Sequence, residues 1–203
     1  MTATLPADAV TVAPAPPYRL AVWAFLVNEA LLFGSILASG LFLRLGGTVP
    51  WPRPGEALPL GPVVVATLVL IASSATLNEA LAALRRRNPS FSRQWLAWTL
   101  AAGSLFLAIQ VYEWWDLARA AIALSPGNEA PLLTNPWGAA TFLQVFFLAT
   151  GLHGLHVVVG LALMAWLLVT RTETVEARLE SVTLYWHFVD FVWIFILSTL
   201  YFL

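Results

Sequence analysis

Seven ionisable side chains interrupt the long apolar runs of this chain: Glu29, Glu79, Glu113, His153, His156, His187 and Asp190. Carboxyl and imidazole groups hold protons, pass them on, or ligate metal ions. The sharpest pattern is "ATGLHGLHVV", Ala149 to Val158, in which His153 and His156 are three residues apart. With Gly160 they form a stripe at i, i+3 and i+7, and Thr150 and Gly154 add a small i, i+4 pair that invites a neighbouring helix. His187 and Asp190 repeat the i, i+3 spacing beside Tyr185, Trp186 and Trp193, so imidazole and carboxylate can meet directly or through water. A structural polar clasp is favoured there, and a proton relay stays open.

A metal site fits this inventory poorly. The chain has three His and no Cys; a dihaem cytochrome b needs four axial imidazoles, and zinc or non-haem iron needs a third ligand within reach. The spans as read put His187 near the inner end of the last one, away from mid-membrane depth. No catalytic, cofactor-binding or metal-ligating residue is therefore expected. His153 and His156 are expected to hydrogen-bond between helices, each neutral ring offering one donor and one acceptor. Glu79 lies about two turns before Arg86, where it can pair or reach the interface. Glu113, in "QVYEWWD", sits among belt aromatics as a solvated or hydrogen-bonded carboxylate. Glu29 has Asn28 beside it and no basic residue within a turn or two, so the neutral acid is its expected form. Gly34, Ser35, Ala38 and Ser39 beyond it suggest close packing on a helix or a lipid. A functional or lipid-contact role and a plain interhelical hydrogen bond stand level for Glu29.

The elements that must position these groups are transmembrane helices. Of 203 residues 60% are hydrophobic and 10% charged, and the mean hydropathy is +0.79, far from a water-soluble domain. Five segments approach the roughly 20 apolar residues a span needs, at about 20–43, 61–84, 95–117, 138–170 and 182–203. The spacing predicts an all-α integral membrane protein, one bundle over 19–203. Ten Trp fit belts at the helix ends. Residues 1–18 lack a basic n-region and carry four Pro, which predicts a disordered Pro/Ala-rich tail rather than a cleaved signal peptide. The absence of Cys excludes disulfides, thiolate metal sites and covalent c-type haem. The net charge of −1 points to no nucleic-acid partner. All ten basic residues are Arg, seven on one side and three on the other, which predicts a cytoplasmic N-terminus and an outer C-terminus. On the cytoplasmic side Glu173, Glu176 and Glu180, with His187 and Asp190 nearby, are expected to collect protons.

"TFLQVFFLATGLHGLHVVVGL" followed by "LYWHFVDFVWIFILSTLYF" resembles the last two helices of cytochrome c oxidase subunit III, in the haem-copper oxidase superfamily. "FLVNEALLFG" resembles the family segment with a buried Glu, matching Glu29, and "AIQVYEW" resembles its Gln and Glu near the end of a later helix, matching Gln110 and Glu113. The resemblance runs from about residue 18 to the end. Mitochondrial relatives have seven helices, so the likeness is to the short five-helix bacterial form, without one wall of the lipid-filled cleft. Where the family has His at the end of the second span this chain reads "TLNEALAAL", so no role for those His carries over.

The resemblance implies a non-catalytic subunit, in the bacterial cytoplasmic (inner) membrane, of a proton-pumping terminal oxidase for aerobic respiration. Its implied partners are oxidase subunits I and II, phospholipid, and cytochrome c as donor to the complex; a respiratory supercomplex is compatible with it. Haem and copper are expected in the partner subunits and none in this chain. The implied work is to bind lipid, stabilise subunit I and support proton uptake. Arg171, before the last span, is the candidate for a lipid headgroup. Quinol oxidases have a similar five-helix subunit and some nitric oxide reductase clusters a related protein. A small autonomous proton transporter built on Glu29, His187 and Asp190 is the alternative from another class; it would show broken helices and inverted repeats, and neither is apparent.

Overall fold

A computed structural model describes residues 17–47, 51–55, 58–123, 140–170 and 175–203. Five helices cross it in sequence: α1 (Pro17–Leu45), α2 (Leu60–Arg85), α3 (Pro89–Ala123), α4 (Ala140–Val169) and α5 (Val175–Leu197), the last running into a π-helical turn, Ser198–Phe202. Each is long and apolar enough to span a membrane, and the described residues contain no strand. Nearly all of the expected N-terminal tail, the connection before α4, and both Arg171 and Glu173 lie outside the described residues.

Every helix but α4 outruns the apolar segment that announced it. α3 begins six residues before the expected 95 and α5 seven before the expected 182. An apolar run measures the hydrocarbon thickness, whereas a helix continues into the interface wherever its end groups find partners. At the α2–α3 turn Arg87 takes a left-handed backbone (φ 58°). The Asn88 amide bonds Ala83 O at 3.0 Å and that of Arg87 bonds Leu84 O at 2.9 Å, a Schellman closure. Asn88 Oδ1 then accepts the Phe91 N–H at 3.1 Å, with Pro89 at the first helical position, so α3 starts at once. The first turns of α5 are held by Arg85, whose side chain reaches Glu176 at 3.7 Å and Glu180 at 3.5 Å. Exposed pairs like these contribute little individually, about 0 to 1 kcal/mol.

Within α5, His187 lies 12 residues from the first, about 18 Å along the axis, and Glu180 lies about 10 Å nearer that start.

α5 is the central helix, touching α1, α2 and α4, and α1 is the most exposed. Trp186 and Trp193 of α5 are fully buried, so not all Trp serve the interfacial belts. Apolar packing brings an indole N–H with it, and in hydrocarbon that donor must be answered by protein. Trp186 donates to Ser73 Oγ at 2.9 Å, Trp193 to Thr67 Oγ1 at 2.9 Å and Trp114 to Thr150 Oγ1 at 3.1 Å. Each hydroxyl in turn donates to a carbonyl of its own helix, at 2.6, 2.7 and 2.6 Å respectively. Three indole–hydroxyl–carbonyl chains thus tie α5 to α2 and α3 to α4. The expected small pair in α4 is part of this: Thr150 is an acceptor, and a Cβ on Gly154 would stand 2.9 Å from the Trp114 ring. A Cβ on Gly160 would meet Trp186 at 2.7 Å. By contrast Gly34, Ser35, Ala38 and Ser39 are exposed, and the close approach of α1 to α4 falls at Gly40.

Gly160→Val should therefore lower stability by about 1 to 3 kcal/mol through overpacking against a rigid indole, while Gly34→Ala, which meets nothing within 4 Å, should be neutral or slightly stabilising. Thermal unfolding of the detergent-solubilised variants checks both.

Candidate functional site

Three polar clusters sit inside the bundle, each joining two helices. In the first, Glu29 of α1, 8% exposed, faces His156 of α4 with Oε2 3.2 Å from Nε2. The partner absent from its own helix comes from another. His156 Nδ1 lies 2.8 Å from Leu152 O; a carbonyl only accepts, so Nδ1 carries a hydrogen. Nε2 then either accepts from a protonated Glu29 or, itself protonated, donates to the carboxylate. A bare Nε2 facing a carboxylate would set two acceptors against each other. Both allowed forms hold one proton and no net charge, which is what a low-dielectric interior tolerates. Phe33 meets the imidazole edge-on at 5.3 Å between centroids, and Tyr185 Oη donates to His156 O at 2.9 Å.

In the second cluster His187 and Asp190 do not touch directly. Ser74 of α2 stands between them: its Oγ is 2.9 Å from His187 Nδ1 and shares a short hydrogen bond with Asp190 Oδ2. His187 Nε2 lies 3.1 Å from Asn78 Oδ1, which makes that nitrogen the donor. Two arrangements satisfy this bridge, with Asp190 Oδ1 buried and unpartnered among the described residues in both. In one, imidazolium Nδ1–H donates to Ser74 and Ser74 to carboxylate; in the other, protonated Asp190 donates to Ser74 and Ser74 to bare Nδ1. They differ only in where the protons sit on either side of one hydroxyl, and neither carries net charge. The polar clasp expected from the sequence is present as geometry, but Ser74, which makes it, carried no signal in the sequence: a serine among apolar residues reads as any small helix residue.

The third cluster lies toward the other end. Glu113 of α3 is 7% exposed, so it is hydrogen-bonded rather than solvated; Oε2 accepts from Gln110 Nε2 at 2.9 Å and from Tyr201 Oη at 2.6 Å. Tyr201 reaches it from the π-helical turn that widens the end of α5. Glu79 pairs with Arg86 at 3.4 Å, as expected.

His153 departs from expectation. It is fully buried, stacked on Trp193 (5.1 Å, 29°) with Phe106 edge-on at 5.9 Å, and neither ring nitrogen has a hydrogen-bond partner. The 60° that separates i from i+3 on a helix turns His156 toward α1 and leaves His153 among aromatic rings of α3 and α5. Aromatic stacking, not a hydrogen bond, holds it. Among the described residues no three His, Cys, Asp or Glu side chains come within reach of a common metal ion. The donor set of the described residues thus does not fit the haem or copper of an oxidase.

Ser74→Ala should cost about 1 to 3 kcal/mol, because it leaves a buried imidazole nitrogen and a carboxyl oxygen unanswered at once. Ser74→Thr, which keeps the hydroxyl, should recover most of it. Glu29→Gln should be milder than Glu29→Ala, since an amide retains a donor and an acceptor for His156. Thermal midpoints of the four variants compared with the parent chain decide the order.

The family model for cytochrome c oxidase subunit III matches residues 7–203. The chain is 32% identical to a cytochrome c oxidase subunit 3 of Thermostichus vulcanus, over 93% of this chain and 89% of that one. It is 35% identical to a probable cytochrome c oxidase subunit 3 of Mycobacterium bovis, over 90% and 85%. It is also 30% identical to a probable quinol oxidase subunit 3 of Staphylococcus saprophyticus, over 90% and 87%. With the five-helix membrane architecture and the polar clusters in place, the chain belongs to the cytochrome c oxidase subunit III family.

Proposed function

We propose that this chain is the third subunit of a bacterial proton-pumping terminal oxidase that takes electrons from cytochrome c and reduces O₂ to water. It sits in the cytoplasmic membrane beside subunits I and II, with its N-terminus and its Arg-rich end in the cytoplasm. Arg85, Arg86, Arg87, Arg93 and Arg178 at one end, against Arg44, Arg53 and Arg119 at the other, support that orientation. Haem and copper reside in the partner subunits.

The observation that carries the reading is the pair of carboxyl–imidazole sites between the helices, Glu29–His156 and Asp190–Ser74–His187, in a chain whose described residues gather no metal-ligand cluster. Such sites hold protons without holding charge, which suits a subunit that supports proton entry while electron transfer runs next door. Glu176 and Glu180, at the cytoplasmic start of α5, would gather protons at the membrane surface. An apolar groove of about 830 Å³ between α1, α4 and α5, with Arg178 stacked 4.9 Å over Trp166 at its edge, supports lipid binding. The exposed apolar face of α1 suits a lipid or a neighbouring subunit.

A quinol donor is the second reading, favoured by the relative named as a probable quinol oxidase subunit. Affinity-purified complex should oxidise reduced cytochrome c and leave a ubiquinol or menaquinol analogue untouched; the reverse preference replaces the donor.

Removing the chain from the complex should leave haem spectra and initial turnover at low pH nearly unchanged, because protons are abundant and the redox centres lie elsewhere. Turnover should fall as pH rises and proton supply becomes limiting, and activity should decay during catalysis. Loss of haem absorbance would make the chain an assembly scaffold; an unchanged pH profile and lifetime would remove the proton-entry role.

A further inference from the structure

The interfacial end of the bundle carries a cavity unconnected with the three polar clusters. It measures about 650 Å³ and lies where the end of α2, the start of α3, the end of α4 and the start of α5 converge. Its floor is apolar, with Leu96, Leu167 and Leu179 each buried. Its polar lining on α3 is Ser90, Ser92 and Arg93. Ser92 is 5% exposed, yet its hydroxyl makes no hydrogen bond, not even the common one to the carbonyl four residues back. Among the described residues Arg93 likewise has no ion pair or hydrogen bond, whereas Arg85 and Arg86 close by are engaged by Glu176, Glu180 and Glu79.

The described lining therefore offers donors and a positive charge, and none of its described residues is acidic. All three polar groups sit in the first turn or so of α3, where the helix field also favours an anion. The amides of Phe91 and Ser92 are already taken by Asn88, so recognition falls to the side chains. A guanidinium fork with two hydroxyls matches an oxyanion that presents several acceptors in a tetrahedral array. The apolar floor below matches a ligand whose anionic head continues into hydrocarbon, and it equally dries the site for a free anion.

We infer that this cavity binds a phosphate group through Arg93, Ser92 and Ser90. The group arrives either on a phospholipid headgroup or as a soluble phosphate, and the chemistry at α3 is the same for both. The cavity is separate from the carboxyl–imidazole sites, so its failure leaves the proposed function standing.

The test uses the chain purified from membranes with the subunits it carries, in maltoside micelles that contribute no phosphate. Three probes are titrated: inorganic phosphate, a short-chain phosphatidylglycerol, and the matching diacylglycerol without its phosphate. Saturable binding of phosphatidylglycerol, with diacylglycerol weaker by about tenfold or more, identifies a lipid source. Binding of inorganic phosphate alone, with phosphatidylglycerol no tighter, identifies a soluble one. In either case Arg93→Gln and Ser92→Ala should each weaken the bound probe by about tenfold, and Arg87→Gln, a neighbouring unpaired arginine outside the cavity, should not. The inference is overturned if diacylglycerol binds as well as phosphatidylglycerol, if no probe binds the parent protein, or if Arg87→Gln weakens binding as much as Arg93→Gln. Ser92→Ala preserves shape and charge, so it decides the matter if Arg93→Gln fails to fold.

Discussion

Hydrocarbon supplies no hydrogen-bond partner, and that single constraint organises this bundle. A polar group carried into it must be answered by protein. The indole N–H groups of Trp186, Trp193 and Trp114 are each met by a Ser or Thr hydroxyl that passes its own hydrogen to a helix carbonyl, while Trp95 Nε1 and the His153 ring nitrogens are buried without a partner among the described residues. The partners lie on different helices, so satisfying one donor also fixes a helix pair in rotation and depth. Between membrane helices there is no hydrophobic driving force to do that work.

The same constraint shapes the chemistry. An isolated carboxylate at the depth of Glu29 or Asp190 would be prohibitive, so each is coupled to an imidazole and the pair keeps one proton. The proton can sit on either partner, directly between Glu29 and His156 or through Ser74 between Asp190 and His187, and the net charge stays at zero. Neutrality is the structural necessity, and the geometry meets it with either placement of the proton.

Much of this was legible in the sequence because membrane helices declare themselves by length and hydropathy. Five spans, the buried carboxyls and imidazoles, the Glu79–Arg86 pair and the small surface around Thr150 and Gly154 follow from spacing alone. Helix ends did not, since Asn88 capping and Arg85 ion pairing act beyond the hydrocarbon that hydropathy measures. Partners across helices were the other loss. Nothing in "SSATLN" distinguishes Ser74, which bridges His187 and Asp190, from Ser73, which serves Trp186. Nor does spacing tell that His153 turns to aromatic rings while His156 meets a carboxyl, because both readings fit an i, i+3 pair until the neighbouring helices are placed.

The most direct test of pairing as the organising constraint is a double-mutant cycle on Glu29 and His156, read as unfolding stability of the chain in its complex. Glu29→Leu and His156→Leu each strand a buried polar group and should each cost about 1 to 3 kcal/mol. The double variant strands neither, so its penalty should be no larger than that of the worse single variant, a coupling of about 1 kcal/mol or more. Penalties that simply add would mean the two side chains answer to other partners, and that the charge-neutral pair is not what holds α1 to α4.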